Sequence, residues 1–249
     1  MPSTAEPGGR AVVVTGAGGG IGSSIALHLA RAGYRVVAAD ISAEGLAALE
    51  GRADGLGIEA VSADTSEEAD VHGLFERAQD GSGKLHGAVL CAGLTRRRSL
   101  TETTLEEFGE LVRANLQGTF LGLREAGRRL EAGGAGGSIV AVTSINAFRA
   151  LPSQAVYSAA KAAIQSLVAS AAVELGPSGT RVNALAPGAV LTPMNPGLDA
   201  GDPLRERIPA RRIGLPEDLD GAAEFLLGDQ SRYITGTSLV VDGGMMAYR

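Results

Sequence analysis

Seven short runs of the chain are apolar almost throughout: residues 11–15, 35–40, 58–62, 86–91, 137–143, 180–186 and 237–242. A strand with one wet face alternates apolar and polar positions, whereas a continuous apolar run fits a strand covered on both faces. Between the runs, apolar residues recur at helical spacing near 21–32, 43–51, 66–79, 104–131, 154–175 and 216–227. This alternation predicts an α/β Rossmann fold, a doubly wound parallel sheet of about seven strands with helices on both faces. Local signals mark some boundaries. Ser42 is placed to cap the second helix, and Thr65 followed by Glu68 predicts a capping box opening the third. The glycine cluster at 133–137 only joins a helix to the fifth strand, so residues 10–249 read as one domain. Residues 1–9 read as a frayed tail without the apolar segment of a signal peptide.

Composition narrows the function. The 249 residues include 45% hydrophobic positions, enough for a sizeable core, and the 36 glycines follow no fixed period. A net charge of −6 argues against nucleic acid as the main partner. One cysteine excludes an internal disulfide, and three histidines, at 28, 72 and 86, are too scattered to suggest a metal site. Cys91, ending an apolar run, reads as a small core residue. No stretch is expected to reach the ~20 apolar residues of a membrane span. A reducing cytoplasm is the expected location.

The chemistry gathers where strands end. Residues 11–14 lead into Thr15-Gly16-Ala17-Gly18-Gly19-Gly20-Ile21-Gly22 and then a helix. Glycines in a strand-to-helix turn allow close backbone approach, and the helix start offers N–H groups and partial positive charge to a pyrophosphate. The second strand ends in Asp40, followed by Ile41 rather than a lysine or arginine. A carboxylate there accepts hydrogen bonds from both hydroxyls of an adenosine ribose and repels a 2′-phosphate, which predicts NAD over NADP. Because Ser42 serves as the cap, Asp40 is expected to be free for this role. Tyr157 and Lys161 stand at i and i+4 on one helix face. Lowering a phenol from about 10 to about 7 takes roughly 4 kcal/mol. One ammonium at about 5 Å supplies about 3 kcal/mol in an effective dielectric of about 20. A depressed Tyr157 pKa is therefore expected, completed by a second positive charge such as an oxidised nicotinamide.

Gly16-x-x-x-Gly20-x-Gly22, Asn115, Ser144 and Tyr157-x-x-x-Lys161, in that order, resemble the single-domain short-chain dehydrogenases/reductases. The resemblance runs from about residue 10 to the C-terminus. It implies that Gly16, Gly19, Gly20, Ile21, Gly22, Asp40 and Ile41 bind the cofactor, with Asp64 and Thr65 at the adenine. Cys91, Ala92 and Gly93 stand where the family usually has Asn-Ala-Gly. Pro187, Gly188, Val190 and Thr192 match the segment that holds the nicotinamide carboxamide. Tyr157 and Lys161 also touch the cofactor, and Asn115, Ser144, Tyr157 and Lys161 form the catalytic set, Asn115 through a water that relays protons. The resemblance further implies a homotetramer, for which the alanine-rich stretch 154–175 and an exposed apolar tail at Met245-Met246 are suited.

Hydride transfer between an alcohol carbon and a cofactor requires the hydroxyl proton to leave, and the reverse step requires an acid. Ser144 is placed to hold the substrate oxygen against Tyr157. Ser144, Asn146, Gln154, Tyr157 and Met194 are the expected substrate contacts, beneath a mobile lid at about 193–213. The expected reaction interconverts an uncharged secondary alcohol and a ketone with NAD(H). A 3-oxoacyl reductase and a non-catalytic NAD-binding redox sensor are the alternatives. Arg96-Arg97-Arg98 reads either as an anion grip or as a solvated face balanced by Glu102, Glu106, Glu107 and Glu110, the second being favoured.

Overall fold

Each inner strand feeds two cores at once. In β1 (Arg10–Thr15), Ala11 and Val13 face one apolar cluster while Val12 and Val14 face another, and all four are fully buried. Such double burial produces the continuous apolar runs of the sequence, and each valine removed from water contributes ~1.5–3 kcal/mol. The computed structural model describes residues 9–80 and 84–247. Its other strands are β2 (Arg35–Asp40), β3 (Ile58–Ser62), β4 (Lys84–Leu90), β5 (Gly137–Val142), β6 (Thr180–Pro187) and β7 (Ser238–Val241). They form one parallel sheet in the order β3-β2-β1-β4-β5-β6-β7. The order reverses between β1 and β4, the place where such sheets leave a crevice beyond their carboxyl ends.

The helices are α1 (Gly20–Arg31), α2 (Ala43–Glu50), α3 (Glu68–Gln79), α4 (Leu105–Leu111), α5 (Gly118–Gly133), α6 (Ala155–Leu175) and α7 (Asp220–Leu227). Leu74, Phe75, Leu121, Leu123, Ile164 and Val168 cover one face of the sheet; Ile25, Leu29, Leu226 and Leu227 cover the other. A third cluster, Ile145, Ile208, Ile213 and Met245, lies beneath the segment that follows β6.

Several expectations need correction. The helix expected over 104–131 is interrupted: residues Val112–Gln117 form a π-helical turn between α4 and α5. The apolar periodicity continues through it, so it leaves no mark on the sequence. The capping box at Thr65 and Glu68 does not form. Asp64 accepts hydrogen bonds from both the Ser66 N–H (2.9 Å) and the Ser66 hydroxyl (2.7 Å), and α3 starts only at Glu68 with Glu67 as an uncapped boundary residue. The box is made instead by Thr104 and Glu107 at α4. Met245 is not an exposed tail residue but is 5% exposed, packed with Ile208. The same packing holds Leu198 and Leu204, so the expected lid rests on an apolar cluster of its own. Residues Ala155–Ser178 do reach the length and mean hydropathy (1.2) of a membrane-spanning helix. The mean comes from alanines, and the helix carries Lys161 and packs on the sheet through Ile164 and Val168. The tail expected at residues 1–9 lies outside the described residues except for Gly9.

Candidate active site

A cleft of about 690 Å³ opens along the carboxyl ends of the strands. Its wall includes Gly16, Gly19, Gly20, Ile21 and Gly22 from the β1–α1 turn and Asp40 and Ile41 from the end of β2. Asp64 and Thr65 follow β3; Cys91, Ala92 and Gly93 follow β4. Asn115, Ser144, Tyr157, Lys161, Pro187, Gly188, Val190, Thr192 and Met194 complete it. All the expected catalytic and cofactor positions thus meet in one cavity. Of the expected substrate contacts, Asn146 and Gln154 do not line it.

The first turn suits an anionic ligand. Gly16 has φ +69°, and a Cβ there would meet the Ala92 backbone at 2.7 Å, while a Cβ on Gly22 would lie 2.1 Å from the Gly16 carbonyl. Both positions therefore require glycine. Behind them α1 begins without a side-chain cap and without an acidic residue in its first turn. Its leading N–H groups are left for a ligand.

Asp40 is less free than expected. One carboxylate oxygen accepts from the Gly18 N–H at 2.9 Å and the other from the Ser42 N–H at 2.8 Å. Ser42 still caps α2 through Gly45, as anticipated. Each carboxylate oxygen keeps a second lone pair for a ribose hydroxyl, and the two backbone bonds fix where it points. Among the described residues, the basic ones on the cleft wall are Lys161 and Arg113, and neither belongs to the β2–α2 segment.

At the other end, Lys161 is 4% exposed and donates to the Val142 carbonyl at 2.9 Å. Its Nζ lies 5.6 Å from the centre of the Tyr157 ring. Burial lowers its pKa to about 8, partly opposed by the Cys91 thiol. The Tyr157 phenol moves opposite to expectation: burial pushes it up to about 12, against a hydrogen bond with Ser144 that lowers it. The ammonium sits over the ring rather than at the hydroxyl, and burial weakens its own charge. Positive charge beyond the chain's own is needed to bring the phenol down. Burial likewise pushes the Cys91 thiol up to about 11, consistent with packing rather than nucleophilic chemistry.

Asn115 is fully buried on the π-helical turn. Its amide donates to the carbonyls of Leu94 and Leu111, both at 2.9 Å, and so ties the turn to the segment after β4. Its Oδ1 is sealed without a partner among the described residues. A π-helical turn spreads the backbone by an extra residue and is frequent at functional sites. Sequence reasoning missed two supports of the site. The Thr15 hydroxyl accepts from the N–H groups of Cys91 (3.1 Å) and Ala92 (3.2 Å), fixing one strand end against the next. The Val142 carbonyl that holds Lys161 has no sequence signal, being main chain. Among the arginines, Arg98 chelates Glu107 and Arg96 meets Glu110 at 3.2 Å, as the solvated-face reading predicts.

A family model described as enoyl-(acyl carrier protein) reductase matches residues 16–246. An L-rhamnose 1-dehydrogenase (NAD(P)(+)) of Azotobacter vinelandii is 37% identical over 251 residues, covering 95% of this chain and 96% of that protein. The chain belongs to the short-chain dehydrogenase/reductase family. As a short-chain dehydrogenase/reductase it is an oxidoreductase of the hydroxyl-acting class. A (3R)-3-hydroxyacyl-CoA dehydrogenase of Canis lupus familiaris is 35% identical over 245 residues, 94% of this chain and 95% of that one. Among solved structures, a gluconate 5-dehydrogenase of Burkholderia cenocepacia J2315 in complex with NADP and tartrate matches with a TM-score of 0.88 and 32% identity. That match covers 97% of this chain and 96% of the other.

Proposed function

We propose that this short-chain dehydrogenase/reductase interconverts a secondary alcohol and a ketone with NAD(H), using Tyr157 as the general acid/base. The observation that carries the reading is the convergence of Ser144, Tyr157 and Lys161 on one wall of the cleft, with Ser144 near enough to the phenol to lower its pKa. The turn Gly16–Gly22 and the α1 N-terminus would hold the pyrophosphate, Asp40 the adenosine ribose, and Asp64 and Thr65 the adenine. Pro187, Gly188, Val190 and Thr192 would hold the carboxamide. When bound, the cofactor supplies or accepts the hydride, and its oxidised ring is positively charged. Ser144 holds the substrate oxygen. Tyr157 passes the hydroxyl proton, and Lys161, anchored by the Val142 carbonyl, keeps positive charge beneath the ring. The Asn115 turn is the route proposed for a proton to leave the site.

NAD is preferred to NADP in this reading because Asp40 is the charged group of the β2–α2 segment on the cleft wall. A second reading, reduction of a 3-oxoacyl thioester, is favoured by the hydroxyacyl-CoA relative and by Arg97, exposed and without an ion pair among the described residues. Assembly as a homotetramer belongs to the same proposal.

The test is turnover of a panel of secondary alcohols, ketones and 3-oxoacyl thioesters with each cofactor. Tyr157→Phe, which deletes the transferable proton and little else, is expected to lower kcat at least about a thousandfold while leaving NAD affinity within about threefold. A Tyr157→Phe enzyme with more than a tenth of the wild-type rate would remove Tyr157 from the mechanism.

A further inference from the structure

One cation of the cleft wall has no use in the mechanism above. Arg113 stands on the π-helical turn, two residues before Asn115, and lines the cleft. It is exposed and makes no hydrogen bond or ion pair among the described residues. Glu110, the acid one turn before it, also lines the cleft but is engaged by Arg96 at 3.2 Å. The other cation of the wall, Lys161, is bonded to the Val142 carbonyl. A guanidinium is therefore available at this wall for a ligand.

The contacts of the turn locate Arg113 along the cleft. Gln117, four residues on, donates through Nε2 to the Ser66 carbonyl at 2.8 Å. A Cβ on Gly118 would lie 2.9 Å from the Thr65 hydroxyl. The turn thus packs against the segment after β3 that carries Asp64 and Thr65. On its other flank Asn115 donates to the Leu94 carbonyl, just past β4. In the sheet β2 and β1 lie between β3 and β4. Arg113 accordingly shares the half of the cleft that holds Asp40 and the glycine turn, whereas Ser144 and Met194 follow β5 and β6 in the other half.

The dinucleotide reading puts adenosine in the first half. Adenine has polar edges and two π faces. Asp64 and Thr65 suit an edge, and Ile41, 71% exposed on the cleft wall, offers an aliphatic surface to one face. A guanidinium is planar and weakly hydrated and stacks on aromatic rings, whereas an ammonium is a compact, strongly hydrated point charge. An arginine without a carboxylate partner is free to take that geometry.

We propose that Arg113 is a cofactor-binding residue that stacks its guanidinium on the adenine of the dinucleotide. It strengthens NAD and NADP alike and leaves the choice between them to Asp40. The inference rests on the dinucleotide-dependent reading above and adds a residue to it.

The experiment measures the Kd of NADH, NADPH and ADP-ribose by calorimetry on the full-length protein. Arg113→Ala is expected to raise all three by about fivefold, as the loss of an exposed cation–π contact implies. ADP-ribose lacks the nicotinamide, so an equal loss assigns the effect to the adenosine half. Arg113→Tyr, which keeps a stacking face without the charge, is expected to return each Kd to within about twofold of wild type. Arg113→Lys, which keeps the charge without the plane, is expected to leave most of the loss in place. In turnover the loss should appear in KM for the cofactor rather than in kcat. Should Arg113→Ala fold poorly, as melting followed by circular dichroism would show, the order of the tyrosine and lysine variants decides alone. Four results would overturn the inference: a change below about twofold in Arg113→Ala, a loss confined to NADPH, a loss seen with NADH but not with ADP-ribose, or recovery by lysine and not by tyrosine. All four leave the dinucleotide reading intact. A wild-type chain that binds none of the three ligands would overturn that reading, and this inference with it.

Discussion

Burial lowers the Lys161 ammonium from 10.5 to about 8, so the folded chain carries a charge it would be more stable without. A base whose folded pKa lies below its unfolded one destabilises the fold wherever both states are protonated. Wild-type stability should therefore rise as pH passes from about 8 to 10.5, the interval in which the unfolded chain binds the extra proton. At pH 7 the full penalty, about 3 kcal/mol, applies. Lys161→Met is expected to raise Tm by at least about 3 °C at pH 7 while abolishing turnover, and the gain should shrink at pH 10. Thermal melts of the two proteins at both pH values check this; a lower Tm for the variant at pH 7 would mean that the Val142 bond outweighs burial. Asp40 carries a different prediction. NAD should exceed NADP by at least about tenfold in kcat/KM, about 1.4 kcal/mol. Asp40→Ala should lower that ratio and also weaken NAD binding, because the Gly18 and Ser42 N–H groups lose their acceptor. Titrations with both cofactors decide it, and an unchanged ratio would reject Asp40 as the discriminator.

At the level of elements, the strands were legible because the sheet is covered on both faces, and Val12 and Val13 must both be apolar although they point apart. The glycine turn and Tyr157–Lys161 were legible because their chemistry demands particular residue types at fixed spacing. The π-helical turn was not, since its extra residue shifts the backbone while the helical spacing of Phe108, Val112, Leu116, Phe120 and Leu123 persists around it. Nor was the start of α3, where Asp64 and Ser66 bond each other in preference to the Thr65–Glu68 box. The phenol shift was misjudged because sequence spacing places a charge near a ring but does not report burial. β4 adds a detail of its own. Its register against β1 skips His86, pairing Ala11 with Leu85 and Val12 with Gly87. A Cβ on Gly87 would lie 1.9 Å from the Ser138 carbonyl on β5. Gly87→Ala should thus pry two central strands apart and cost about 3 kcal/mol. Urea unfolding measures it, and a loss below about 1 kcal/mol would mean that β5 yields easily.

For the molecule as a whole, the exposed side of α6 presents Ala155, Ala159, Ala162, Ala169 and Val173, the last 77% exposed. Leu105 and Phe108 on α4 and Phe120 on α5 are also uncovered. Small residues on one helix and large apolar ones nearby suit close helix–helix approach by a second copy. A tetramer of dihedral symmetry is the expected state, with a dimer as the smaller assembly. Light scattering at micromolar concentration checks it, and a stable particle of about one chain, 25.2 kDa, would refute both. The sheet also separates two kinds of connection. Every loop of the cleft leaves the end of a strand, whereas the glycine segment between α5 and β5 enters one, on the opposite rim. There a Cβ on Gly136 would strike the Gly179 carbonyl at 2.6 Å, but Gly133 and Gly134 have open space around them. The backbone can consequently be opened, or a reporter peptide spliced in, between Gly133 and Gly134 with the chemistry of the far rim undisturbed.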